Sequence, residues 1–166
     1  DVCAAPGIKT ICTAFKMSSG RITVVDISER RMRRLKYLVR RYEIAKRIDI
    51  VARVMDARNL DPHNLGHVDK IIVDPECTSS GLIPKSPDVK LRLSMDRLSK
   101  MVKLQRGILE RAIDISHETG VELIVYSVCS LFPEEGEFII MNVSSHKNIH
   151  VQSPQYGSPA YISDTG

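Results

Sequence analysis

Short apolar runs alternating with amphipathic helical stretches along 166 residues predict an α/β domain with a mostly parallel sheet and right-handed crossovers. Two observations carry that prediction. Ile22-Thr23-Val24-Val25, Asp49–Val54, Lys70–Val73 and Val121–Tyr126 are strand-like runs separated by helical periodicity. Three of them lead into aspartates, Asp26, Asp56 and Asp74, and the carboxyl ends of parallel strands are where ligands collect. The length fits a single domain over residues 1–166, able to bury a sizeable core.

Taken in order, Val2 opens into the turn Ala4-Ala5-Pro6-Gly7, followed by a helix through Phe15. The strand Ile22–Val25 ends at Asp26, and Ser28 is placed to cap the next helix. That helix carries Arg30, Arg31, Arg33, Arg34, Lys36, Arg40, Arg41, Lys46 and Arg47 against Glu29 and Glu43. Met32, Leu35, Val39 and Tyr42 recur on its other side, so the stretch is amphipathic with a basic outer face. Such a face is either merely solvated or attracts a polyanion such as RNA. A third strand, Asp49–Val54, ends near Asp56, and a fourth, Lys70–Val73, ends at Asp74. A Pro/Ser/Gly-rich loop runs to about Pro87. From Ser94 to Ser116, Leu98, Met101, Val102, Ile108, Leu109, Ala112 and Ile113 mark one helix face. The strand Val121–Tyr126 follows, then a short helix from Pro133 to about Met141. The tail from Ser144 to Gly166 is rich in Ser, Pro and Gly and is expected to be loosely ordered.

Apolar content of 43% and charged content of 27% are those of an ordinary globular protein. No apolar run approaches the roughly eighteen residues of a membrane span, and no signal-peptide pattern is present. Cys3, Cys12, Cys77 and Cys129 form no C-x-x-C pair and have no metal-like His spacing, which argues against zinc, and chain size argues against a disulfide framework. Reduced thiols, no metal and a cytoplasmic location are the expectation, nucleolar being an option in a eukaryote. Net charge is +4, mildly basic, so its concentration on one helix is more informative than its sum.

The turn Cys3–Gly7 lies where small residues let the backbone approach a ligand and a helix start offers free N–H groups. Asp26 sits where an acid bonds ribose hydroxyls in doubly wound folds, and Asp56 is placed to reach an adenine amino group. A lone aspartate at a strand end is more often a cap or turn former, and three at successive strand ends shift the reading towards a cofactor. The turn is neither G-x-G-x-x-G nor a phosphate loop, which favours a methyl-donor nucleoside over NAD or ATP.

Asp1-Val2-Cys3-Ala4-Ala5-Pro6-Gly7-Ile8-Lys9-Thr10 resembles the first motif of the RsmB/Sun-type (Fmu-like) RNA cytosine-5 methyltransferases. Asp74-Pro75-Glu76-Cys77-Thr78-Ser79 and Ser127-Val128-Cys129-Ser130, with Pro133-Glu134-Glu135, resemble that family's two cysteine motifs. The likeness extends from Asp1 to about Phe138 with the motifs in order. It implies a Rossmann-like class I methyltransferase sheet with helices on both faces, truncated at both ends. It also implies S-adenosylmethionine as cofactor, held by Cys3, Ala4, Ala5, Pro6, Gly7, Ile8 and Lys9, with Asp26 on the ribose, Asp56 near the adenine, and Arg31 lining the site. Asp74 then lies between cofactor and target base. RNA, either rRNA or tRNA, is the implied partner.

Cytosine C5 is a poor nucleophile, and thiolate addition at C6 makes it enamine-like, splitting a difficult step into easier ones. By resemblance Cys129 is that nucleophile, Asp74 bonds the N3/N4 edge of the base, and Cys77 assists product release. The alternative for both thiols is that of buried small hydrophobes. Cys12, one turn into an apolar helix, reads as core.

Three positions depart from the family pattern. Ile8 stands where a second glycine is usual, Glu76 where a small residue or proline is usual, and Val128 where threonine is common. The sequence begins inside the first motif and stops before the expected last strands, which reads as a catalytic-domain fragment lacking an RNA-binding segment. A rival reading is a catalytically impaired RNA-binding or assembly module on the same fold. A second is a methyltransferase acting on small molecules or proteins, which has no need of Cys129.

Overall fold

The computed structural model describes residues 1–147 and 149–152, which fall into two units. One comprises Asp1–Pro75 and Ile108–Tyr126, and the other Glu76–Gly107 with the described residues from Ser127 onward.

In the first unit β1 (Arg21–Asp26) pairs in parallel with β2 (Asp49–Val54), from Arg21 opposite Asp49 to Asp26 opposite Val54. Strand β3 (Lys70–Val73) pairs in parallel with β4 (Leu123–Tyr126), from Lys70 opposite Leu123 to Val73 opposite Tyr126. Val2 joins the two halves through parallel bridges to Val25 and Val73. Its N–H donates to the Ile72 carbonyl at 2.9 Å, and the Val25 N–H donates to the Asp1 carbonyl at 2.9 Å. The order is therefore β2-β1-Val2-β3-β4, with the topological switch at Val2, a Rossmann-like arrangement. Val24, Val25 and Val73 are buried in it, the β-branched residues that a sheet covered by other elements selects.

Helix α1 (Ile8–Lys16) leaves from the switch point and α2 (Glu29–Arg41) from the end of β1. The cap of α2 is Ser28, whose Oγ accepts the Arg31 N–H at 3.3 Å, as its position before the basic run predicts. Met32, Leu35, Leu38 and Val39 form the buried stripe of α2. Gly7 has φ +108°, and a Cβ there would stand 2.8 Å from Leu35 Cγ. Glycine is thus demanded here by the approach of α2 as well as by the turn.

The basic helix is shorter than the basic run in the sequence. Tyr42 ends it, Glu43 takes φ 52° in the left-handed region, and Lys46 and Arg47 fall in and after a 3₁₀ turn, Ile44–Lys46. Cys12 is exposed and not core, because the buried stripe of α1 runs through Thr10, Ile11 and Ala14 and leaves position 12 outside it.

Helix α3 (Met95–Thr119) runs three residues beyond its expected end and supplies residues to both units. In the second unit, 3₁₀ turns at Ser80–Leu82 and Pro87–Arg92 occupy the loop after β3. The helix expected from Pro133 is interrupted at Gly136: Pro133–Glu135 is a 3₁₀ turn, and α4 spans Glu137–Lys147. Residues Ser144–Lys147, expected to be loose, are its last turn. Ile139 and Val143 bury that helix, while Ser144 and Ser145 donate back to the carbonyls of Met141 and Asn142 at 3.1 and 2.7 Å. Asn148 and the rest of that tail from Ser153 lie outside the described residues. Among the described residues no helix is long and apolar enough to cross a membrane.

Candidate active site

The first unit gathers the predicted cofactor residues at the carboxyl ends of its strands. Asp26 is the centre of that group and is only 2% exposed. Its Oδ2 accepts the Ala5 N–H at 3.2 Å, and its Oδ1 accepts the Ser28 N–H at 2.8 Å and Arg31 Nη2 at 3.1 Å. One carboxylate thereby ties the Cys3–Gly7 turn to the start of α2. A buried acid costs heavily unless it is bonded in this way. Arg31 reaches inward, and its buried Nε has no hydrogen-bond partner.

Ala4 and Ala5 are buried, Pro6 follows a cis peptide bond, and Ile8 lies on the surface at 62% exposure. No side chain caps α1, so the N–H groups of its first turn are left for an outside acceptor. Lys9, in that turn, places Nζ 2.5 Å from Asp74 Oδ1, just after β3. Cys3 adopts φ 62°, and its thiol is pushed up to about 12, by burial first and then by the charge of Asp26, with Arg31 opposing. It remains a neutral group of the turn. Asp56 is occupied differently. It caps the 3₁₀ turn Ala57–Asn59 and holds Arg58 in a fork, with Nη2 at 2.6 Å and Nε at 3.0 Å. The Arg58 hydrogen bond holds the Asp56 carboxyl below its usual range.

An apolar cavity of about 760 Å³ in this unit lies at the opposite, amino end of the strands, against Asp1, Val2, Ile22, Lys70, Ile72 and Glu122. It touches none of the predicted site residues except through their neighbours in sequence.

The second unit brings both predicted catalytic thiols together. Cys77 Sγ and Cys129 Sγ are 3.2 Å apart and unbonded covalently, and Ser79 Oγ lies 3.8 Å from the first and 3.5 Å from the second. Their environments differ. Cys77 is 4% exposed, whereas Cys129 is at the surface. The hydrogen bond with Cys129 and then burial raise the Cys77 thiol well above its ordinary value. Charge in the pair is better hydrated on the exposed sulfur, so Cys77 is the harder of the two thiols to ionise.

A buried polar brace holds the two thiol loops. Glu135, fully buried, accepts the Thr78 N–H at 2.9 Å, the Thr78 hydroxyl, and Gln105 Nε2 at 2.8 Å. Gln105 Nε2 also donates to the Glu76 carbonyl at 2.9 Å. Ser130 Oγ lies 3.2 Å from Thr78 Oγ1 and 3.1 Å from Ser80 Oγ, and the Gly81 N–H donates to the Cys129 carbonyl at 3.1 Å. The Glu76 carboxylate, an unusual charge in that motif, is met by Arg97 Nη2 at 3.4 Å. Glu135 stands in a motif that the sequence singles out, yet nothing there shows that it crosses to Thr78. Gln105 falls on the apolar stripe of α3, and a buried amide in such a stripe is the signal that marks it.

A parallel sheet with its switch at Val2, a small-residue turn tied to a buried acid, and a thiol pair in the second unit describe a Rossmann-like α/β protein. The model of the 16S rRNA methyltransferase RsmB/F family matches residues 1–162, and the chain belongs to that family. It is 34% identical over 139 residues to ribosomal RNA small subunit methyltransferase B of Yersinia pseudotuberculosis serotype O:1b (strain IP 31758), covering 82% of this chain and 31% of that protein. The same figures hold for that protein from Yersinia pestis. Among solved structures, PH0851 superposes with a TM-score of 0.74 at 34% identity, over 91% of this chain and 33% of that one. NSun6 from Pyrococcus horikoshii, solved with SFG, superposes with a TM-score of 0.69 at 28% identity, over 92% and 39%. The chain spans about a third of the length of the curated relatives it matches.

Proposed function

We propose that the whole protein transfers a methyl group from S-adenosylmethionine to C5 of a cytosine in RNA, with rRNA favoured over tRNA by the names of its relatives. The observation that carries this reading is the thiol pair 3.2 Å apart, one sulfur exposed and the other buried, in a chain of this family. A methyltransferase acting on a more reactive nucleophile has no use for two adjacent thiols. The two units are read as parts of one catalytic domain, acting in the cytoplasm.

The residues of the first unit fit the cofactor. Asp26 keeps lone-pair capacity on Oδ2 for a ribose hydroxyl, the unpaired Nε of Arg31 offers a donor, and the uncapped start of α1 suits a carboxylate. SFG, an S-adenosylmethionine analogue, accompanies one structural neighbour. Ala4, Ala5, Pro6 and Gly7 supply the close-approach turn around Cys3, Ile8 and Lys9 begin the helix, and Asp56 borders the adenine. When bound, the cofactor supplies an electrophilic methyl group.

In this reading Cys129 adds as thiolate to C6 of cytosine, and Asp74 hydrogen-bonds the N3/N4 edge, where charge accumulates. C5 then takes the methyl group, the donor's S–CH3 bond breaking with its electron pair kept on sulfur as a neutral thioether. Loss of the C5 proton to a base lets the C6–sulfur bond break, returning Cys129 as thiolate. Cys77 acts in that release, its protonated thiol lying against the departing sulfur.

Cysteine replacement in the whole protein tests this. Cys77→Ala leaves attack possible and elimination impaired, so a covalent protein–RNA complex accumulates and survives denaturing electrophoresis. Cys129→Ala abolishes both the complex and 5-methylcytosine measured by bisulfite mapping. Undiminished methylation by the Cys129→Ala protein refutes the assignment.

A further inference from the structure

The outer face of α2 is more than a scatter of charge. Arg30, Arg34, Tyr37 and Arg41 follow one another at helical spacings of four, three and four, forming a single row about 16 Å long on a 13-residue helix. Arg33, Lys36 and Arg40 flank that row and are exposed with it. Arg31, the one arginine that turns inward, is committed to Asp26.

The two acids beside this face each meet a single cation, one of them a flanking member of the face. Glu29 pairs with Arg33 at 3.3 Å and Glu43 with Lys46 at 2.6 Å. Arg30, Arg34, Lys36 and Arg40 take part in no ion pair among the described residues. A solvated helix face ordinarily intersperses both signs, whereas this one carries a net positive row with nothing opposite it.

One aromatic ring interrupts the row, and a pair of rings stands past the end of the helix. Tyr37 is 51% exposed and accepts a hydrogen bond from Arg41 Nη1 at 3.1 Å, which fixes its ring within the cationic surface. Tyr42, 49% exposed, meets Phe15, 54% exposed, edge to face with ring centres 6.0 Å apart. Rings left half in water beside guanidinium groups are the composition of a single-strand platform, where cations hold phosphates and each ring offers a stacking face to an unpaired base. A duplex presents its bases stacked inside and would gain from the arginines alone.

We propose that the outer face of α2, with the Phe15–Tyr42 pair at its end, is a docking strip for unpaired RNA. This rests on the reading of the protein as an RNA methyltransferase and adds the element that grips substrate, together with the kind of RNA it prefers. A cytosine must be unstacked before C6 can be attacked, so a surface favouring unpaired strand stabilises the state in which chemistry occurs.

The test uses fluorescence anisotropy with the whole protein, an unstructured oligouridylate, and an RNA duplex of equal length. The triple variant Arg30→Gln/Arg34→Gln/Arg40→Gln is expected to weaken binding of both RNAs and to flatten the log–log salt slope for the single strand by about 2, since each phosphate no longer neutralised lowers it by about 0.7. Tyr37→Leu/Tyr42→Leu is expected to weaken oligouridylate at least about fivefold while leaving the duplex and the salt slope unchanged. Affinity for S-adenosylmethionine, unaltered in both variants, serves as the folding control. An unchanged slope in the arginine variant, or equal losses on duplex and single strand in the tyrosine variant, overturns the strip. Cys129-dependent methylation persisting alongside such a result leaves the functional reading standing. A whole protein that binds neither RNA overturns both.

Discussion

The four cysteines show how far a residue's chemistry is decided by its surroundings. Cys3 is half-buried beside Asp26 and is held neutral, Cys12 lies outside the buried stripe of α1, Cys77 is buried and hard to ionise, and Cys129 meets solvent. Alkylation follows thiolate fraction and access, so iodoacetamide at neutral pH is expected to label Cys129 at least about tenfold faster than Cys77, read peptide by peptide in the mass spectrum. The sign is fixed by the upward displacement of Cys77: raising the pH should accelerate its labelling last. Labelling of Cys77 ahead of Cys129 contradicts the division of roles. The aspartates diverge in the same way. The sequence marks Asp26 and Asp56 alike as strand-end acids, and the difference lies in partners that spacing does not reveal. Asp26 is buried among N–H donors, whereas Asp56 turns outward to Arg58. Asp26→Ala is expected to weaken S-adenosylmethionine binding by about 1–3 kcal/mol in calorimetry, through the loss of charge-assisted bonds, and Asp56→Ala by less. Equal affinities in the wild type and the Asp26 variant reduce Asp26 to a turn residue.

At the level of elements, local signals read well and long-range ones do not. Ser28 caps α2 because its own side chain reaches three residues on, and the buried stripes of α2 and α3 are periodic within one helix. The brace around Glu135 joins residues 57 and 30 positions apart, Thr78 and Gln105, and no periodicity encodes that meeting. The extent of α4 escapes the sequence for a related reason: a Ser-rich last turn reads as loop, although buried Val143 holds it helical. The brace is also the most exacting test of the second unit. Glu135→Ala strands the Thr78 N–H in a buried site, takes one acceptor from the Gln105 amide, and leaves the Thr78 hydroxyl only Ser130. The expected cost is about 3–5 kcal/mol, since unsatisfied buried groups cost about 1–3 kcal/mol each and do not add fully. Glu135→Gln keeps one acceptor oxygen and should cost markedly less. Denaturant unfolding distinguishes the two, and an Ala variant of wild-type stability means that the brace relaxes without penalty.

Across the whole molecule the parallel sheet is the most legible feature, because each strand carries a short β-branched or apolar stretch and Asp26, Asp56, Asp74 and Ser127 stand at or just after the strand ends. The position of Val2 between β1 and β3 is less legible. One residue carries no pattern, and only its bridges to Val25 and Val73 identify the switch point. That point sorts the chemistry by unit. Cys3–Lys9, Asp26, Arg31, Asp56 and Asp74 all lie in the unit containing the sheet, and Cys77 and Cys129 both lie in the other. Cofactor binding and thiol chemistry should therefore separate under mutation. At a free S-adenosylmethionine concentration of about 100 times its dissociation constant, binding stabilises the native state by about 2.7 kcal/mol. For a cooperative unit of this size, that raises the melting temperature by about 5–10 °C. Cys77→Ala and Cys129→Ala are expected to keep the full rise in thermal melts of the whole protein, while Asp26→Ala at the same concentration loses about a third of it or more. A Cys129 variant that loses the cofactor-induced rise while Asp26→Ala retains it would place the cofactor in the unit of the thiols and overturn the assignment of both.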